Sequence, residues 1–135
     1  MFGVYLHIPF CSSKCDYCAF ATWTDRHHLI DAYLAALRRE IAGAVEEGLP
    51  VADTIFVGGG TPTLVPPDDL AAVIQSIPRS PDAEVTVECN PDDVEVATLR
   101  SFIDGGVNRV SVGVQSMSAD VLTALGRTHD QDNVV

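Results

Sequence analysis

Four short segments of this chain alternate between apolar and polar residues with a period of two, and each is followed by a stretch whose apolar residues recur every three to four positions. Strands interleaved with helices in this way are joined by crossovers, and crossovers make parallel sheets. The strand-like segments cover residues 4–8, 54–57, 84–88 and 109–115, and the helical ones 29–48, 67–78, 94–103 and 118–125. In the first helix Ile30, Leu34, Leu37, Ile41 and Val45 share a face, and Gly48 and Pro50 stop it. The second begins at Pro67 with Asp68 and Asp69 in its first turn and buries Leu70, Val73, Ile74 and Ile77. The third buries Leu99, Phe102 and Ile103.

Successive strand residues point to opposite faces, so each strand divides into two sets. One set is wholly apolar: Val4, Leu6 and Ile8; Ile55 and Val57; Val85 and Val87; Val110, Val112 and Val114. Its counterpart is polar or small apart from its aromatics: Tyr5 and His7; Phe56 and Gly58; Thr86 and Glu88; Ser111, Gly113 and Gln115. A sheet covered by helices on both sides would be apolar on both. The pattern therefore places helices on the valine and isoleucine face only, with the sheet curling so that its polar face lines a concave interior. An ordinary closed barrel fills that space with branched side chains. Here Gly58, Ser111 and Gly113 leave room for a ligand, although a half-exposed sheet would share the same alternation.

A chain of 135 residues, 47% hydrophobic, suits one folded unit. The formal net charge is −11, the wrong sign for neutralising nucleic-acid phosphates, so a DNA or RNA partner is not expected. No apolar run reaches the roughly 20 residues that span a bilayer, and Met1 leads straight into a strand, so a cytoplasmic protein with no transmembrane segment is expected.

Three of the four cysteines, Cys11, Cys15 and Cys18, crowd into a C-x3-C-x2-C run directly after the first strand, which suits metal or cluster binding in a reducing compartment better than a disulfide framework. In βα folds ligands collect at the C-terminal ends of strands. The unusual residues fall there: the cysteine loop, the Gly58-Gly59-Gly60-Thr61 turn, Glu88, Gln115, and Arg127 past the fourth helix. The triglycine turn exposes backbone that a Cβ would screen, yet a plain tight loop has the same composition. Glu88 can bridge two ribose hydroxyls or cap the next helix. Zinc competes for the cysteines, with His7 as fourth ligand, but His7 belongs to the strand face and structural zinc sites favour paired C-x2-C knuckles. An iron–sulfur cluster with one free iron needs only three cysteines. Cys89 reads as a small buried side chain.

C-x3-C-x2-C with Tyr17 before the last cysteine resembles the signature of the radical S-adenosylmethionine proteins. The surrounding stretches Tyr5 to Phe10, Gly58 to Thr63, Glu88 with Asn90-Pro91, Gly106 to Ser116 and Leu125 to His129 are similar to the oxygen-independent coproporphyrinogen III oxidase-like group and its haem-chaperone branch. The resemblance covers essentially the whole chain. It implies an α/β fold, part of a TIM-type barrel with four βα units, parallel strands, helices on the outer face and a polar lumen. It also implies a 4Fe–4S cluster on Cys11, Cys15 and Cys18, with S-adenosylmethionine on the fourth iron. Tyr5, Tyr17, Gly59, Gly60, Thr61, Glu88, Gln115 and Arg127 match cofactor-contacting positions, with Glu88 at the ribose.

Two departures separate the branches. Where the oxidase has a further cysteine two residues after the motif, this chain has Phe20, and the oxidase's N-terminal extension has no counterpart before the first strand. Both favour the haem-chaperone branch, with haem as cofactor and haem-acceptor proteins as partners; the alternative is an oxidase acting on a porphyrinogen. By the same resemblance, residues 1–135 are the N-terminal part of a barrel, with the remaining units and a C-terminal domain lying outside them.

Overall fold

Parallel strands β1 (Gly3–Ile8), β2 (Ala52–Gly59), β3 (Arg79–Cys89) and β4 (Arg109–Val112) lie side by side in chain order, each joined to the next through a helix. The helices are α1 (Ile30–Glu46), α2 (Pro67–Gln75), α3 (Val96–Asp104) and α4 (Ala119–Ala124). These elements come from a computed structural model, which describes residues 1–130, 132 and 134. Register pairs Leu6 with Val57, Val57 with Val87 and Val87 with Val110, so like faces align across the sheet.

The core sits where the apolar strand set meets the helices. Leu6, Ile8, Ile55, Val57, Val85 and Val87 are all buried there, against Leu34 and Ile41 of α1, Leu70, Val73 and Ile74 of α2 and Phe102 of α3. Helices α2 and α3 approach so closely at Gly105 that an added Cβ would lie 2.6 Å from Ala71 Cβ. Arg79 closes the far ends of both, donating to Ile74 O at 2.9 Å and Gly105 O at 3.2 Å, where a cation also meets the negative ends of the helix dipoles. Before β4, the Asn108 side chain accepts from Val85 N–H and donates to Ala83 O, extending the pairing beyond the strand itself.

The structure departs from the expected pattern at its β4 side. β4 stops at Val112 instead of reaching residue 115, because the chain curls away: Val114 N–H bonds Val112 O at 2.9 Å and Ser116 N–H bonds Val114 O at 2.8 Å. Val110 and Val112 remain 41% and 39% exposed, since α3 packs on α2 and α4 is only six residues long. Ile103 is 66% exposed although it was expected in the core; adjacent helical residues lie about 100° apart, and α3 turns Phe102 inward instead. Val45, in the last turn of α1, is likewise exposed.

Candidate functional site

The chain leaves β1 through Pro9 and Phe10, runs out into the cysteine loop and returns at Trp23, which forms a parallel bridge with Phe10. Trp23 N–H bonds Pro9 O at 2.8 Å and Cys11 N–H bonds Trp23 O at 3.1 Å, so the loop is closed at its base. His27 Nε2–H adds a bond to Cys11 O at 2.7 Å. Within the loop Cys18 N–H bonds Cys15 O at 3.0 Å, a turn that the x2 spacing permits. All four cysteines are free thiols; Cys11 is buried, and Cys15 and Cys18 are half-buried.

Beside the loop lies the exit of β2. Gly60 N–H bonds Ile8 O and Thr61 N–H bonds Phe10 O, both at 2.7 Å, so the glycine turn rides directly on the base of the cysteine loop. Gly59 has φ +114°, a conformation that a side chain disfavours. Thr61 Oγ1 lies 3.7 Å from Cys11 Sγ. From β3, Glu88 does not cap the following turn; its Oε2 accepts Gly59 N–H at 3.2 Å and ties two strand ends together.

These ends enclose a cavity of about 200 Å³. Cys11, Cys15 and Cys18 line one side with Tyr17; Gly59, Gly60, Thr61, Glu88, Gln115 and Arg127 complete it. Of the residues singled out in the sequence, Tyr5, His7 and Gly58 lie off this wall. Tyr5 is held elsewhere. Its ring stacks on Phe56 with centroids 6.2 Å apart, and its hydroxyl bonds His7 Nδ1 at 3.0 Å. The other His7 nitrogen, Nε2, donates to Ala21 O at 2.9 Å, so both ring nitrogens are engaged inside the protein. Among the described residues, no three His, Cys, Asp or Glu side chains form a group suited to one metal ion.

Arg127 reaches furthest across the site. Nη2 donates to Asn90 Oδ1 at 2.6 Å and to Gly113 O at 2.8 Å, Nη1 lies 3.7 Å from Cys15 Sγ, and the buried Nε has no acceptor among the described residues. Gln115 holds φ +63°, the sole non-glycine residue in the left-handed region among those described. Such strain accumulates where a side chain must be aimed. Burial raises the Tyr17 hydroxyl pKa, Cys15 adds to the rise, and Arg127 draws it back. Burial also raises Tyr5, with Glu88 contributing.

Asn90, Ser111 and Gly113 also line the cavity, and of these the sequence assigned no role to the Asn90 side chain. Ser111 and Gly113 were foreshadowed by the strand alternation. The Asn90 side chain had no periodic signal, because it follows the strand end.

A parallel βα sheet with a C-x3-C-x2-C loop at the end of its first strand is the frame of the radical S-adenosylmethionine proteins, and the Radical SAM superfamily profile matches residues 5–135. The chain belongs to that superfamily. Within it, the chain is 39% identical over 140 residues to the haem chaperone HemW of Bacillus subtilis, covering 99% of this chain and 37% of the relative. It is 37% identical over 132 residues to the mitochondrial radical S-adenosyl methionine domain-containing protein 1 of Danio rerio, covering 94% of this chain and 30% of that one. Among solved structures, coproporphyrinogen III oxidase (HemN) from Escherichia coli superposes with TM-score 0.86 at 29% identity, covering 98% of this chain and 32% of the oxidase. The chain thus spans about a third of the length of the relatives it matches.

Proposed function

We propose that the chain holds a 4Fe–4S cluster on Cys11, Cys15 and Cys18 with S-adenosylmethionine against it, and that it serves as a cytoplasmic haem chaperone, binding haem and passing it to acceptor proteins. The observation that carries the cofactor reading is the convergence of three free thiols with Glu88, Gln115 and Arg127 on one cavity. A cubane takes each thiolate on a different iron, so its ligands ring a space instead of meeting at a point, and three of them leave one iron open. The orphaned Arg127 Nε suits the ligand's carboxylate, since a buried donor without an acceptor costs about 1–3 kcal/mol that a ligand oxygen would restore. Glu88 spends one oxygen on Gly59 and, as a carboxylate, retains capacity to accept from ribose hydroxyls. Tyr17, Gly59, Gly60 and Thr61 supply the remaining wall, and Tyr5 holds His7, whose ring lies 2.5 Å from where a Gly59 Cβ would sit.

When bound, the cluster supplies the electron that cleaves the sulfonium of S-adenosylmethionine. The chain's own work is to fix both groups and shield them from water. The loop base at Phe10 and Trp23 sets the height of the thiols, the glycine turn allows close approach, and Arg127 bridges the loop to the exits of β3 and β4.

The haem assignment draws on the 39% identity with HemW and on Phe20, a 63% exposed apolar side chain at the cavity where the oxidase carries another cysteine. The TM-score of 0.86 with HemN supports a second reading, oxidative decarboxylation of coproporphyrinogen III. Anaerobic reconstitution followed by iron and sulfide analysis tests the cluster; one equivalent of zinc with no iron would overturn both readings in favour of a structural zinc module. Haem binding against carbon dioxide release from coproporphyrinogen III, measured on the full-length protein, separates chaperone from oxidase, and turnover would sink the chaperone.

A further inference from the structure

Arg127 is gripped by groups from three distant parts of the chain, and only one grip between the strand exits is a side chain. Nη2 lies 2.6 Å from Asn90 Oδ1 and 2.8 Å from the Gly113 carbonyl, while Nη1 meets Cys15 Sγ at 3.7 Å. A guanidinium has donors only, so the carboxamide must present its oxygen. Asn90 is itself held: it precedes Pro91, whose ring keeps the preceding residue extended, and its φ of −82° and ψ of 135° match that restriction. Its carbonyl then accepts Asp93 N–H at 3.0 Å, closing the turn that carries it.

We infer that Asn90 is a positioning residue that acts through Arg127, setting the guanidinium plane so that the unpartnered Nε–H is available to an anionic group of the ligand in the cavity. The ligand half of this inference rests on the cofactor reading above; the Asn90–Arg127 coupling does not. Truncating Asn90 would leave Nη2 on the Gly113 carbonyl alone, free to rotate about it, and the fork would lose its fixed orientation.

The test is a double-variant cycle on the anaerobically reconstituted protein, with S-adenosylmethionine affinity read by titration calorimetry. Asn90→Leu, similar in volume but without the oxygen, is expected to weaken binding about tenfold, the scale of one charge-assisted hydrogen bond. Asn90→Asp keeps an acceptor and should stay within about threefold of wild type. Adding Asn90→Leu to Arg127→Ala should cause no further loss, because residues acting as a unit are not additive. Wild-type affinity in Asn90→Leu, or losses that multiply in the double variant, would overturn the inference.

The same cycle is read as Tm in the metal-free protein, where non-additive losses are expected and additive ones refute the coupling. A wild type that binds no S-adenosylmethionine would sink the cofactor reading, while the Tm cycle still decides whether Asn90 works through Arg127. Should Asn90→Leu fail to fold, Asn90→Ala replaces it in both cycles.

Discussion

The exits of β1 and β2 press together at Gly60, and a single methyl group there tests whether the cysteine loop and the glycine turn form one rigid unit. A Cβ on Gly60 would sit 2.4 Å from Phe10 O and 2.9 Å from Ile8 O. Both are backbone atoms held by the 2.7 Å bonds from Thr61 and Gly60, so no side chain can swing aside. Restoring ordinary contact requires opening the strand exits by about 1 Å, which stretches both bonds past useful length. Overpacking of this kind costs about 1–3 kcal/mol. In a chain of 135 residues that corresponds to a Tm loss of about 4–12 °C. Because Cys11 follows Phe10, the loop base moves with it, and iron retention after reconstitution should fall as well. Gly43→Ala supplies the control: nothing lies within 4 Å of its Cβ, and relieving a glycine inside α1 should raise stability by about 0.5–1 kcal/mol. Thermal unfolding of both variants, metal-free and reconstituted, gives the comparison. A Gly60→Ala Tm within about 1 °C of wild type would refute the argument that these exits are in hard contact.

Other expectations follow from single groups. Cys15→Ser should abolish cluster assembly, read as iron content, while the metal-free Tm stays close to wild type; full iron content would remove Cys15 from the ligand set. Glu88→Ala should weaken S-adenosylmethionine binding with the cluster retained, and unchanged affinity would leave Glu88 only its bond to Gly59. Gln115→Gly should relieve the left-handed strain, about 1 kcal/mol net of the entropy glycine adds to the unfolded chain, while losing affinity; a fall in Tm would contradict the strain. Burial pushes the Cys89 thiol up to about 11 from an ordinary 9.0, with Asp93 and Glu88 adding to it. The unfolded chain therefore binds fewer protons between those values, so the stability that the neutral thiol contributes is complete below pH 9 and lost as pH rises toward 11. In Cys89→Ala that part of the alkaline decline should vanish, and an identical slope in both proteins would count against the buried-thiol account.

The order of elements was legible in the sequence because it rests on local rules. Period-two segments became strands, three-to-four spacing became helices, and Pro67 opened α2 where its missing N–H is tolerated. The same alternation separated the buried face of Leu6, Ile8, Ile55, Val57, Val85 and Val87 from the face that carries Glu88 and Ser111. It misjudged Val110 and Val112, as helical spacing misjudged Ile103, since a periodic pattern identifies an apolar face without saying whether another element covers it.

For the candidate site, the sequence by itself determined the inventory: cysteine spacing, a glycine turn, and polar residues at strand ends, all properties of short stretches. Only the tertiary structure decided how these stretches meet. It left Tyr5 off the cavity wall, stacked on Phe56, set Thr61 against Cys11, and joined Asn90 to Arg127 across 37 residues. Side-chain hydrogen bonds between distant segments have no periodicity to read. They depend on the register of β2 with β1 and β3, and on where the chain curls after Val112, which are outcomes of packing the whole sheet.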